Sequence, residues 1–322
     1  MTNRLPTWLE DEQTRINIVL SSTLHDRLPD PDLASYIQRC LLNGRKIRSV
    51  AFTIARRATA TENLDRNIVY AIECAHAASV LVDDILDGDA FRHGYAATQT
   101  VWGPGRSSLI SHLLISSSLD ALASLPVLQK RLLTAYGDSC RGELHDVMLV
   151  PGDWIYEGYD ERVYSKTAAL FIFALESAHY MNSGRADGAL SELGRSLGCL
   201  YQLANDFFDW QPSLLLERHT PDQSWPVTFS FPLAIYMKMH GHNRLGDVRN
   251  RDMSYSDWIA FLSIIWQPDV EQACRDILAS AHARVVDLLN CRELDADQAR
   301  KLRSIADLAI TRDFWFHEMK AA

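Results

Sequence analysis

Glu73-Cys-Ala-His-Ala-Ala-Ser-Val-Leu-Val-Asp-Asp-Ile-Leu-Asp-Gly-Asp-Ala-Phe-Arg-His-Gly94 is the stretch around which the rest of the chain arranges itself. It opens as an apolar helix. It then places Asp83, Asp84, Asp87 and Asp89 within about two turns and closes on Arg92, His93 and Gly94. On a helix Asp83 and Asp87 stand at i and i+4, so they share one face, where like charges repel by about 0.2–0.5 kcal/mol. A face needed only for solubility would mix in lysine, and none occurs between Asp83 and Arg92. A divalent cation relieves such crowding. Mg²⁺ takes one or two carboxylates and completes its shell with phosphate oxygens and water. A charged helix end would look the same in isolation, so the surrounding sequence has to decide.

Outward from this stretch the pattern stays helical. Proline is missing from Asp32 to Gly103 and from Gly152 to Gln211, and apolar residues recur at helical spacing in both segments. Alternating strand patterns are absent. Breaks are predicted at Pro29–Pro31, Asn43-Gly44, Gly103-Pro104-Gly105, Leu125-Pro126, Val150–Asp153, Gln211–Pro226 and Gln267-Pro268-Asp269. The result is an all-α chain of roughly ten or more helices. No low-complexity linker divides it, so residues 1–322 read as a single domain. The long irregular stretch Gln211–Pro232 is the kind of loop that carries function.

Composition narrows the functional classes. Hydrophobic residues make up 47% of the 322, enough for a large core, and the net charge of -9 argues against nucleic acid and polybasic membrane contact. The six cysteines are scattered without a CxxC pair, as expected of buried thiols in a reducing compartment. The N-terminal segment is too acidic for a signal peptide, and no apolar run reaches the length of a membrane span. A soluble cytoplasmic protein is expected.

The opening stretch has an echo. Asp83-Asp84-Ile-Leu-Asp87 is matched by Asn205-Asp206-Phe-Phe-Asp209, again with oxygen ligands at i and i+4. Two such helices face to face would build a carboxylate-walled mouth over an apolar interior. That suits a substrate with an anionic head and a greasy tail.

The whole pattern resembles the trans-isoprenyl diphosphate synthase (polyprenyl synthetase) family. Asn43-Gly44-Arg45-Lys46-Ile47-Arg48-Ser49 is similar to the family's GGKRxRP, and His76 stands where a His or Gln precedes the first aspartate-rich motif, Asp83–Asp87. Arg92-His93-Gly94 is similar to RRG, Gly142-Glu143-Leu144-His145-Asp146 to GQxxD, and Lys166-Thr167 to the KT pair. Gly194-x3-Gly198-x2-Tyr201-Gln202-x2-Asn205-Asp206-x2-Asp209 resembles the helix with the second motif. Each motif is weak alone; together, in order, they are specific.

The resemblance implies an isoprenoid synthase type I fold, a helical bundle around a deep apolar cavity. It implies Mg²⁺, three ions per active site with substrate bound, held by Asp83 and Asp87 with Asp84 in support, and by Asn205, Asp206 and Asp209 opposite. Arg92, Lys166 and Gln202 would contact the allylic prenyl diphosphate. Thr167 would border the reacting carbon. Arg45, Arg48 and His76 would bind isopentenyl diphosphate, and His93 falls in the same diphosphate region. Side chains one turn before the first motif floor the family's chain-length pocket. Here they are the small Ala78 and Ser79, which favours a pocket for about twenty carbons unless Phe171 or Phe173 closes it. A homodimer is also implied.

Departures qualify this. Asn205 replaces the second motif's first Asp, His93 the second Arg of RRG, Asn43 a Gly and Ser49 a Pro. No lysine occurs between Lys166 and Lys238, where most members grip diphosphate. Asp209, Ser213 and Glu217 also match the spacing of the terpene cyclases' NSE motif, although Pro212 disturbs that helix. Chain elongation with isopentenyl diphosphate to a C20-class product is the first expectation. Cyclisation of one long prenyl diphosphate, prenyl transfer to a non-diphosphate acceptor, and a role as inactive partner subunit are the alternatives.

Overall fold

The computed structural model describes residues 5–28, 30–42, 44–56, 63–89, 91–92, 95–148, 164–212, 224–225, 229–241, 253–291, 293–311 and 314–315. The first seven helices are α1 (Thr7–Arg27), α2 (Pro31–Leu42), α3 (Ile47–Arg56), α4 (Asn63–Asp87), α5 (Thr98–Trp102), α6 (Pro104–Ala121) and α7 (Pro126–Met148). A single π turn, Tyr164–Ala168, leads into α8 (Ala169–Ser183). Then follow α9 (Ser191–Asp209), α10 (Phe231–His240), α11 (Tyr255–Ile265), α12 (Pro268–Leu288) and α13 (Ala296–Ala309).

Several expected breaks become helix starts. Pro31, Pro104, Pro126 and Pro268 each begin a helix, where the missing N–H would have had no intrahelical partner. One break carried no proline signal: the chain leaves α8 through Gly184 at φ +70°, a left-handed cap that glycine adopts without strain. The starts of α11 and α13 are fixed by reciprocal capping boxes, Ser254 with Asp257 and Asp295 with Gln298.

Two short antiparallel ladders pin loops to this helical frame. β1 (Phe91–Arg92) pairs with β2 (Tyr95–Ala96), and β3 (Ser224–Trp225) pairs with β4 (Met253–Ser254). Two-residue strands have no periodicity for a sequence reading to find.

One hydrophobic core runs from Leu9 to Trp315. α4 lies against α6 through small residues. Ser107, Ser111 and Ser118 of α6 are buried, and Ser111 Oγ donates to the Ala78 carbonyl at 2.9 Å. α9 approaches the start of α8 closely because Gly194 and Gly198 lack side chains. A Cβ at Gly198 would lie 2.5 Å from Ala168 Cα. Among the described residues no helix is long and apolar enough to cross a membrane.

Candidate active site

The two aspartate-bearing helices end on the same side as the π turn. On α4, Asp83 Oδ1 lies 3.0 Å from Lys166 Nζ, and Lys166 also meets Glu143 Oε2 of α7 at 2.8 Å. Asp87 is one turn beyond Asp83. Its carboxyl is pushed up to about 7 by the protein crowded around it and then by Asp83, against the pull of Lys166. The residue is nonetheless exposed to solvent, which weakens the effect through screening. A carboxylate pair that resists full ionisation is a place where added positive charge is favoured.

A chain of hydrogen bonds links the π turn to α9. Thr167 Oγ1 donates to Gln202 Oε1 at 2.5 Å, and Gln202 Nε2 donates to Asp206 Oδ1 at 2.6 Å. The other Asp206 oxygen accepts from the Phe231 amide at 3.2 Å, at the first turn of α10. Asp206, expected to face a metal, therefore has both oxygens engaged by protein donors. A carboxylate at a helix N-terminus is well placed for that role. Asn205 Nδ2 donates to Asp209 Oδ2 at 2.9 Å. That bond uses the amide nitrogen and leaves the carbonyl oxygen of Asn205 outside it. Among the described residues no three His, Cys, Asp or Glu side chains converge on a point that would hold a metal ion unaided.

The basic segment before α3 is drawn inward. The Arg45 guanidinium donates to the Phe314 carbonyl and stacks 3.7 Å from the Phe314 ring and 4.9 Å from Trp315. Arg48 lies 3.1 Å from His76 Nε2 and 4.8 Å over Phe171. Arginine has no acceptor, so Nε2 must accept and the imidazole is unprotonated there. Burial lowers the Arg48 pKa, while Tyr201 and Glu73 oppose that shift. Lys46 takes the left-handed conformation at φ +56° and is buried with Nζ 3.7 Å from Glu73 Oε2. The other Glu73 oxygen accepts from Ser49 at 2.6 Å.

A cavity of about 370 Å³ opens beside these residues. Its polar lining includes Arg39, Lys46, Glu73, His76 and Asp84, and Val80, Leu81 and Trp102 belong to its apolar wall. Arg45 and Arg48 do not line it. Arg39 lies outside every motif and Lys46, inside the basic motif, was given no role, because exposure to a cavity depends on how the helices meet. Ala78 and Ser79 do not line it either. Ala78 lies roughly 140° around the helix from Asp83 and is fully buried toward α6, and Ser79 Oγ bonds the His76 carbonyl of its own helix. Phe171 and Phe173 are fully buried on α8, and Trp210 packs against Trp258 and Phe261. His93, Ser213 and Glu217, and the side chains of Arg92, Asp146 and Trp225, lie outside the described residues. Glu143, which replaces the Gln of GQxxD, was within reach of sequence reading through its charge.

A family model described as polyprenyl synthetase matches residues 30–214. The chain belongs to that family. Among curated relatives, the short chain isoprenyl diphosphate synthase of Methanothermobacter thermautotrophicus is 28% identical over 200 residues, 59% of this chain and 62% of that one. The octaprenyl diphosphate synthase of Escherichia coli is 30% identical over 174 residues, 52% of this chain and 54% of that one. This polyprenyl synthetase family member thus aligns with little more than half the length of those two relatives. Its fold matches the decaprenyl diphosphate synthase of Rhodobacter capsulatus with a TM-score of 0.78 at 17% identity, covering 94% of this chain and 97% of that one.

Proposed function

We propose that this protein ionises an allylic prenyl diphosphate with Mg²⁺ and joins the prenyl cation head-to-tail to isopentenyl diphosphate. The observation that carries this reading is the meeting of Asp83 with Lys166 at 3.0 Å, beside the crowded Asp87. An ammonium and a carboxylate pair suit a ligand that brings phosphate and metal together. Asp83 and Asp87, with Asn205 and Asp209 opposite, would hold Mg²⁺, which supplies neutralisation of the leaving diphosphate. That fits residues too few to chelate alone, since substrate phosphate completes the shell.

The protein's own groups then have distinct tasks. Lys166 takes charge from the departing diphosphate. Thr167, anchored by Gln202, presents its carbonyl and remaining hydroxyl lone pair near the reacting carbon. Asp206 holds Gln202 in place. The cavity beside Arg39 and Lys46, part cationic and part apolar, suits a small anion with a short hydrocarbon chain. Water kept out by the core protects the cation. A C20-class product, expected from the small Ala78 and Ser79, loses that support, because Ala78 is buried toward α6 and Ser79 bonds its own helix.

Cyclisation of a single prenyl diphosphate is the second reading. It is favoured by Arg45 and Arg48, whose guanidinium groups stack on Phe314, Trp315 and Phe171. We further propose a homodimer, supported by exposed Leu109, Leu133 and Leu144 on α6 and α7, and a cytoplasmic setting, supported by six free thiols.

One incubation separates these readings. Purified protein is given Mg²⁺ and farnesyl or geranylgeranyl diphosphate, with and without isopentenyl diphosphate. A longer diphosphate formed only with the second substrate supports elongation. Hydrocarbon or alcohol without it supports cyclisation. No product in either arm sinks both.

A further inference from the structure

Helix α7 approaches the π turn more closely than an ordinary side chain would allow. A Cβ at Gly142 would lie 2.6 Å from the Lys166 amide nitrogen. One turn earlier, Ser139 Oγ donates to the Lys166 carbonyl at 2.8 Å. Beside Gly142, Glu143 holds the Lys166 ammonium at 2.8 Å. Residues 139, 142 and 143 stand at i, i+3 and i+4, so one face of α7 grips the lysine at both ends. The π turn over Tyr164–Ala168 shifts the backbone ladder here, a distortion that recurs at functional sites.

The charge of Glu143 is the unusual part. A glutamine would accept the same hydrogen bond without adding a charge, and the resemblance implies a glutamine at this place. Three carboxylates, Asp83, Asp87 and Glu143, then act on one ammonium. With Asp83 as sole partner, Lys166 would settle onto the carboxylate pair and cancel the charge that attracts a cation. Glu143 pulls from the opposite wall and keeps Lys166 between α4 and α7.

We propose that Ser139, Gly142 and Glu143 form a positioning cradle for Lys166, in which Glu143 decides where the ammonium lies. Glu143 acts through Lys166 and not on substrate. The inference rests on the reading above, in which Lys166 meets the leaving diphosphate, and deepens it.

The test is acetic anhydride footprinting read by mass spectrometry, with exposed Lys130 as internal reference. In Glu143→Gln, labelling of Lys166 relative to Lys130 should rise about threefold, the scale of a partly exposed ion pair. Ser139→Ala should raise it in the same direction, which guards against a folding defect peculiar to one variant. An unchanged ratio in both, with melting midpoints preserved, overturns the cradle. A kinetic arm asks whether Glu143 acts through the lysine. Glu143→Gln should lower kcat about tenfold with Lys166 present and about twofold or less beside Lys166→Met. Equal losses in both backgrounds also overturn it. Wild-type turnover by Lys166→Met sinks the functional reading instead, while the footprint still judges the cradle. Where that variant shows no measurable turnover, the footprint decides alone.

Discussion

Asp83 is the carboxylate of α4 that meets Lys166, which Glu143 of α7 also holds. Removing its carboxylate takes the 3.0 Å partner from Lys166 and one of the two proposed ligands from α4. Asp83→Ala should reduce turnover by about a thousandfold or more, measured as product formation from an allylic diphosphate, with little change in melting temperature. Retained turnover would remove the opening stretch from its central place. Asp87 offers a check without substrate. Its folded-state pKa is raised from 3.8 to about 7, so folding favours the protonated form. Between those values the folded state binds more protons than the unfolded one, and stability falls as pH rises through that window. In metal-free protein the melting temperature should therefore drop between about pH 4 and pH 7, by a few degrees at most because the exposed group is screened. Asp87→Asn should flatten that part of the profile, and a parallel profile for the variant would place the shift elsewhere.

At the scale of elements, the contact between α8 and α9 positions the chemistry. The Thr167–Gln202 bond exists because Gly194 and Gly198 let the helices touch. Gly198→Ala should cost about 1–3 kcal/mol through overpacking, seen as an earlier urea midpoint, and should lower activity by more than the loss of folded protein explains. Equal losses of both would reduce this contact to a packing role. The glycine spacing was visible in the sequence as part of a resembling motif. Its reason, a Cβ 2.5 Å from Ala168 Cα, was not, because it depends on the distance between two axes. Ala78 illustrates the same limit. Its small size was legible, but its facing α6 follows from which side of α4 meets the serines of that helix.

Across the whole molecule, the two ends of the described chain meet at the basic loop. Gln13 of α1 donates to the Arg45 carbonyl, and Phe314 and Trp315 close over the Arg45 guanidinium. Phe314 is fully buried and also meets Tyr201 edge-on at 6.3 Å. Phe314→Ala should destabilise the protein by about 3–5 kcal/mol in denaturant titration. A loss below about 1 kcal/mol would mean that the aromatic lock is peripheral to folding.

The helical period, the proline breaks and two acidic helix ends were set by local rules, because spacing along one chain decides which residues share a helix face. The all-α architecture and the family followed from them. Other assignments waited for the tertiary structure: Arg45 and Arg48 turned onto aromatic rings, Asp206 tied to α10, Lys46 and Arg39 beside the cavity, and Lys166 held between Asp83 and Glu143. Motif position records a residue's type and order. Whether a charge faces substrate or a neighbouring ring depends on segments far apart in sequence packing together, and the cost of burying that charge selects its partner.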